Sequence, residues 1–286
     1  MEYQNSRYTW TGLQRKIECD NEYDQYSRNL RDCTWSSRAR PAIEVHRVRF
    51  EHDTMVMSAQ YLDSIAVVGE AVDHTNSAGW HNRFRTVIES WREAILARYT
   101  PASIYQTPAE FRGAQTFGPP YEDTWSTAWL KMLCAGHIPD LDRKFLRLSG
   151  ADISMVAQKA ASDSTCFFYF GHFDHHHFEP FNRHPADRGS SQLYQQFINF
   201  MPQVLEGKRM FITRTGYLGF GNMKTRMGDK LYLPTTCNAP LILRMAHATA
   251  STDRQTHIIV GACYMQGFMD GTYQDLRIPE EELYVV

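Results

Sequence analysis

From Lys208 onward, short apolar runs follow one another at close spacing, and glycines separate many of them. Runs of this kind predict short β-strands joined by tight turns, because glycine accepts the positive φ angles that such turns need. The runs are Arg209–Thr213, Tyr217–Phe220, Lys230–Leu233, Pro240–Met245, His257–Cys263 and Met265–Phe268. The pattern predicts a small antiparallel β meander or barrel over residues 208–286.

Upstream of this unit the apolar residues change to helical spacing. From Phe84 to Tyr99 they recur three or four positions apart, and Pro101 ends the predicted helix. Similar spacing predicts further helices over about 123–136, 152–161 and 190–205. Pro202 should kink the last of these helices or end it early.

The N-terminal part adds one β-hairpin to this plan. Its first strand is Val45–Phe50, a turn follows at 51–53, and apolar runs continue over Met55–Met57 and Leu62–Val68. We therefore predict an α+β fold in which a helical middle region packs with the C-terminal β unit. Three ranges divide the chain: a polar lead-in at 1–44, a mostly helical region with the initial hairpin at 45–207, and the β module at 208–286. We expect 45–286 to form one compact unit.

Charge and hydropathy exclude several classes of protein. The chain has 30 basic and 32 acidic side chains, so it offers no strong field for nucleic acid. The start has no signal-peptide pattern, and the apolar runs are far shorter than the roughly 20 residues of a membrane span. Its 6 cysteines are scattered without a C-x-x-C pair, which is typical of reduced thiols. We expect a cytoplasmic protein that neither binds nucleic acid nor spans a membrane.

Four motifs in the β module occur in a recognisable order. They are KRMFITRTGYLGFG at 208–221, MGDKLYL at 227–233, APLILR at 239–244 and VGACYMQGFMDG at 260–271. This order resembles the C-terminal signature of fungal heterokaryon-incompatibility (HET) proteins, in the region that follows their HET domain. Weaker similarity extends upstream to YLDSIAVVGE at 61–70 and DTWSTAWLKML at 123–133.

The resemblance implies a function only for the region that it covers. The 45 or so residues before that region leave no room for a HET domain, so we expect that domain to be absent. The cell-death role of the family is therefore not carried over. What remains is a stand-alone accessory module that recognises a ligand or a partner protein.

The motif residues have a structural and a functional interpretation. Glycines in TRTGYLGFG and a Gly-Asp pair before Lys230 predict turns that determine the fold. Some motif side chains could instead line a binding site. On that interpretation the candidate ligand-binding residues are Tyr217, Phe220, Arg244 and Trp129.

A histidine-rich segment, GHFDHHHFEPFNRH at 171–184, is the strongest candidate for chemistry. Imidazole and carboxylate groups bind divalent metals, and His175, His177 and Asp174 could form such a site. The candidates for acid–base catalysis are His172, His175, Asp174 and Glu179. Clustered histidines on a surface loop without any specific role are the alternative interpretation.

Aromatic residues make up 13% of the chain, which is compatible with an apolar pocket as well as with a large core. This leaves open a second function, an enzyme of fungal specialised metabolism. It would be a cyclase or isomerase acting on a small apolar molecule, or a metal-dependent enzyme that uses the histidine-rich loop.

Overall fold

A computed structural model describes residues 48–52, 54–73, 79–99, 124–139, 145–170, 187–235, 239–246, 254–269 and 278–286. The described part contains four helices: α1 (Trp80–Arg98), α2 (Trp125–Leu133), α3 (Gly150–Ser162) and α4 (Asp187–Leu205). Its strands before α4 are β1 (Val48–Glu51), β2 (Thr54–Ala71), β3 (His137–Pro139) and β4 (Phe145–Arg147). The strands after α4 are β5 (Lys208–Thr213), β6 (Leu218–Asn222), β7 (Lys230–Pro234), β8 (Leu241–Met245), β9 (Thr256–Ala262), β10 (Tyr264–Met265) and β11 (Glu280–Val285). The predicted α+β class is confirmed.

Local sequence explains where the helices begin. The Thr124 hydroxyl accepts a hydrogen bond from the backbone N–H of Thr127 and caps α2. Ser149 and Asp152 form a capping box at the start of α3. Helix α1 buries an apolar face that contains Trp91, as its spacing predicts. Among the described helices, none has the length and apolar character needed to cross a membrane.

Five strands close into a barrel. Strand β2 pairs with β11, β11 with β9, β9 with β8, β8 with β7, and β7 again with β2. All of these pairings are antiparallel except that of β9 with β11. The barrel encloses its own apolar cluster, formed by Met55, Met57, Ala59, Tyr232, Leu241, Leu243, Leu283 and Val285. Closure removes the free edges that an open sheet would expose.

Strand β2 also belongs to a second layer of sheet. Its C-terminal half pairs with β5, which continues through β6 to β10. The helices cover this layer and share the main core with it. Helix α1 lies close to β2, because Gly69 leaves room for the indole of Trp91, whose Nε1 donates to the Glu70 carbonyl at 2.7 Å.

The structure differs from the expected elements in five places. The hairpin of β3 and β4 was not predicted, and the predicted strand Met265–Phe268 is a turn after Met265. Two predicted short runs, Met55–Met57 and Leu62–Val68, are parts of the single 18-residue strand β2, because polar residues between them still pair with β7 and β11. Helix α4 does not end early at Pro202 but continues to Leu205. Strand β11 was not predicted, and its parallel pairing with β9 makes the sheet mixed.

Candidate functional site at one end of the barrel

Two buried carboxylates hold turns between strands after α4. The first is Asp63 on β2, whose Oδ2 accepts from the backbone N–H of Thr215 at 3.0 Å and from its hydroxyl at 2.5 Å. Thr215 lies in the turn between β5 and β6, where Gly216 has a φ of 101°. Thr213 completes this turn by accepting from the N–H of Tyr217 at 2.8 Å. The TRTGY motif is therefore a turn attached to the neighbouring strand.

The second carboxylate is Asp229, in the turn that precedes β7. Its two oxygens accept from Nε and Nη2 of Arg244 on β8, at 2.8 and 2.9 Å. One oxygen also accepts from the backbone N–H of Arg226 at 2.8 Å. Hydrogen bonding to the Asp229 carboxylate raises the pKa of the Arg244 guanidinium, and the two groups form a bidentate ion pair. The MGDK and APLILR motifs thus meet in one interaction.

One row of residues in register marks an end of the barrel. Phe50 is opposite Met55, Met55 opposite Val285, Val285 opposite His257, and His257 opposite Met245. We call these five residues the end row. Its central residues are buried, whereas Phe50 is 52% and Met245 49% exposed. The row therefore forms the last layer of the barrel, with apolar side chains open to solvent at both edges.

Two further apolar side chains are exposed at this end. Ile258 follows His257 on β9 and is 46% exposed, and Val286 follows β11 and is 57% exposed. Together with Phe50 and Met245 they are four of the seven large exposed hydrophobic residues of the described chain. We call these four residues the apolar end. Since successive side chains of a strand point to opposite faces, Ile258 and Val286 lie on the outer face of the barrel, whereas Phe50 and Met245 lie on the face of the end row. Exposed apolar groups that share one end of a domain are candidates for an interaction surface.

His257 is the one ionisable group in the end row. It is 2% exposed, and neither of its ring nitrogens has a hydrogen-bond partner. Its ring meets that of Tyr232 edge to face, with 5.7 Å between centroids. Burial, followed by the charge of Lys230, lowers the pKa of His257, and Glu281 and the backbone of Tyr284 oppose this only in part. The imidazole is therefore held neutral.

A cluster of charged groups lies on the outside of the barrel near this end. Arg49 on β1 bonds Glu282 on β11 at 2.7 Å and Glu51 at 3.0 Å, and Arg254 reaches Glu51 at 3.1 Å. The guanidinium of Arg254 also lies 4.9 Å from the ring centroid of Tyr284. These exposed pairs contribute little stability individually, but they form a polar rim beside the apolar residues.

The structure does not bring the predicted ligand-binding residues together into one site. Tyr217 packs against Phe268, and Phe220 stacks on Tyr264. The Trp129 indole is fully buried and donates to the Phe168 carbonyl at 2.8 Å. Arg244 is opposite Ile258 on β9 and is engaged by Asp229. The structural interpretation accounts for the contacts of all four, and their ligand-binding role stays a prediction.

Trp129 does line a small cavity between α2 and α3. Aromatic walls come from Trp129, Phe168, Tyr169 and Phe170, and Ser126 and Ser154 add hydroxyl groups. The cavity has about 20 Å³ of space, which is enough for about one water molecule. Pockets for drug-sized ligands have volumes of about 300–1,000 Å³.

The histidine-rich segment lies outside the described residues, together with His172, His175, His177, Asp174 and Glu179. Its predicted metal and acid–base roles therefore stay predictions. Within the described ranges, no group of three or more His, Cys, Asp or Glu side chains is placed to hold a metal.

Sequence reasoning missed the end row and His257. The histidine stands in an otherwise apolar strand, THIIVGA, and this could have marked it as a buried polar group. Its pairing with Val285 could not have been foreseen, because β11 itself was not predicted.

Comparison with known proteins agrees with the motif analysis. Residues 174–286 match the family model of the Het-6 β-barrel domain. A segment of 100 residues is 31% identical to heterokaryon incompatibility protein 6, OR allele, of Neurospora crassa. That segment covers 35% of this chain and 14% of the Neurospora protein. No solved structure matches the chain. The predicted resemblance to the HET family is confirmed.

Proposed function

Since this chain is a HET-related protein with a match to the Het-6 β-barrel domain over 174–286, we propose that its barrel recognises a partner protein through the apolar end. The observation that carries the proposal is the collection of Phe50, Met245, Ile258 and Val286 at one end of the barrel, all about half exposed. The Neurospora relative is named for heterokaryon incompatibility, and we extend a role in that response to this chain.

The energetics of the apolar end favour association with another protein. Covering apolar surface stabilises a complex by about 25 cal/mol per Å². Four half-exposed side chains would each contribute about 1 kcal/mol on this scale. The polar rim around Arg49 and Arg254 resembles the polar border of protein interfaces, where charge selects the partner rather than adding affinity.

Fixed turns in and beside the barrel support the same role. The Asp229 carboxylate holds the loop before β7, and the Asp63 carboxylate holds the turn between β5 and β6 against barrel strand β2. A surface that is already ordered loses little conformational entropy on binding. The motif residues would then supply the rigid frame, and the apolar end would supply the contact.

The test compares three charged substitutions in the full-length protein. Ile258→Lys and Phe50→Lys place a charge in the apolar end, whereas Met227→Lys places one on a residue that is 73% exposed in the turn before β7. Each tagged variant is crosslinked in fungal extract, and captured proteins are quantified by mass spectrometry. Circular dichroism and thermal unfolding of each variant serve as the control for correct folding.

We expect the captured amount of at least one protein to fall about tenfold with Ile258→Lys and with Phe50→Lys. The captured amount of that protein should be unchanged with Met227→Lys. The purified partner should then bind the first two variants about tenfold more weakly than the wild type, equal to about 1.4 kcal/mol. Capture of the same proteins by all variants, or of none by the wild type, would refute the proposal.

A further inference from the structure

The weakest junction of the barrel is the one between β9 and β11. Strand β11 pairs with β2 along its whole length, from Glu280 to Val285. With β9 it pairs only at Tyr284–Thr256 and Val285–His257, in parallel orientation. The N–H of Val286 adds one hydrogen bond to the His257 carbonyl at 2.9 Å. We call this short junction the seam, and His257 lies within it.

A proton on His257 would have no carboxylate partner inside the barrel. The neighbours of His257 in the end row are Val285 and Met245, which are both apolar. Strand β7 presents the Tyr232 ring and the positive charge of Lys230, whereas β11 presents the exposed Glu281 and the backbone of Tyr284, which favour the proton only in part. An imidazolium here would be buried without an ion-pair partner, which is among the most destabilising arrangements in a protein interior.

We propose that protonation of His257 opens the barrel along the seam between β9 and β11. Opening exposes the imidazole to water, where a proton can bind without the cost of burial. Strand β11 stays on β2 and β9 stays on β8, because those antiparallel pairings are longer. The open seam presents free edges of β9 and β11 to solvent, and such edges can accept another strand.

The direction of the pH effect follows from the lowered pKa of His257. The open state binds a proton near the ordinary histidine pKa of about 6.5, and the closed state binds it only at lower pH. The closed barrel is therefore fully stable above about pH 6.5. Stability is lost as the pH falls toward the pKa of the closed state, with seam opening increasing about tenfold per pH unit.

Hydrogen exchange of the full chain, resolved by residue and measured from pH 7.5 to pH 5, tests the proposal. After correction for intrinsic exchange, the protection of Val286 and of the β9 amides next to the seam should fall about tenfold per unit below about pH 6.5. The β5 and β6 amides should keep their protection. In His257→Gln the seam should lose this pH dependence, whereas it should persist in the control variant His81→Gln, which alters an exposed histidine on α1.

Two variants beside His257 test the proposal by changing the pKa of the closed state. Lys230→Met removes a positive charge that opposes protonation in the closed barrel, so the loss of protection should level off at higher pH and be smaller in total. Glu281→Gln removes a negative charge that favours protonation there, so the loss should continue to lower pH and be larger in total. Seam protection that is independent of pH, unchanged pH dependence in His257→Gln, or changes in the two charge variants opposite to these would each overturn the proposal. None of these outcomes depends on partner binding.

Discussion

The carboxylate of Asp229 accepts two hydrogen bonds from the guanidinium of Arg244, at 2.8 and 2.9 Å. Asp229 is buried in the turn before β7, and Arg244 lies on the neighbouring strand β8. The same guanidinium donates to the Lys224 carbonyl at 2.8 Å. One side chain thus ties the loop between β6 and β7 to the barrel wall.

Replacement of Arg244 should destabilise the protein strongly, because it leaves a buried carboxylate without its partner. We expect Arg244→Met to lower the free energy of unfolding by about 3 kcal/mol, and Arg244→Lys by less because the charge remains. Urea denaturation measures the change. The control is Arg254→Met, which removes an exposed ion pair and should cost less than about 1 kcal/mol. Equal effects of Arg244→Met and Arg254→Met would contradict this prediction.

Thr215 and Asp63 should be energetically coupled. Thr215→Val removes the hydroxyl bond to a charged acceptor and should cost about 1.5–3 kcal/mol. Thr215→Ser keeps the hydroxyl and should cost less. In Asp63→Ala the partner is gone, so adding Thr215→Val should have an effect smaller by about 1 kcal/mol or more. Additive losses in this double-mutant cycle would show that the turn is held in another way.

Alanine substitutions at Gly219 and Gly150 should change the stability of the protein in opposite directions. A Cβ at Gly219 on β6 would overlap the carbonyl of Tyr264 and the ring of Phe211. We expect Gly219→Ala to destabilise by about 3 kcal/mol, since strand β10 must move. At Gly150, the first residue of α3, a Cβ meets nothing within 4 Å. Gly150→Ala should therefore stabilise by about 0.5 kcal/mol in the same thermal unfolding measurement.

Thiol reactivity should follow burial. Burial raises the pKa of Cys134 to about 12 and raises that of Cys263 as well, so neither forms the reactive thiolate near neutral pH. Burial also raises the pKa of Cys166, but this thiol is only partly buried and therefore accessible to reagent. Iodoacetamide at pH 8 should label Cys166 in the native protein, and Cys134 and Cys263 only after denaturation, as peptide mapping by mass spectrometry can show. Native labelling of Cys134 as fast as that of Cys166 would disprove this order.

Most elements were predictable because their signals are local. The spacing from Phe84 to Tyr99 predicts α1, and Thr124 lies where α2 begins. The glycines and apolar runs after Lys208 predict β5 to β9, with boundaries that differ by one or two residues. The motifs after Lys208 indicate the resemblance to HET proteins, and the family match over 174–286 confirms that resemblance.

The partners of the motif residues were not predictable, because they are far apart in the chain. Asp63 and Thr215 are separated by 152 positions, and nothing near either residue specifies the other. The length of β2 was underestimated for a similar reason. Its central polar residues are stabilised by pairing with β7 and β11, which depends on strands more than 160 positions away.

Secondary structure and the resemblance to the HET family are encoded in short stretches of this chain, because turn geometry, capping and apolar spacing act between close neighbours. The end row is different, since Phe50, Met55, Val285, His257 and Met245 come together only when five strands pair in register. Burial of His257 is a property of that closed barrel and not of the segment THIIVGA. Pairing of β2 with β7 closes the barrel. The closed interior buries the imidazole of His257 without a hydrogen-bond partner for its ring nitrogens and keeps it neutral.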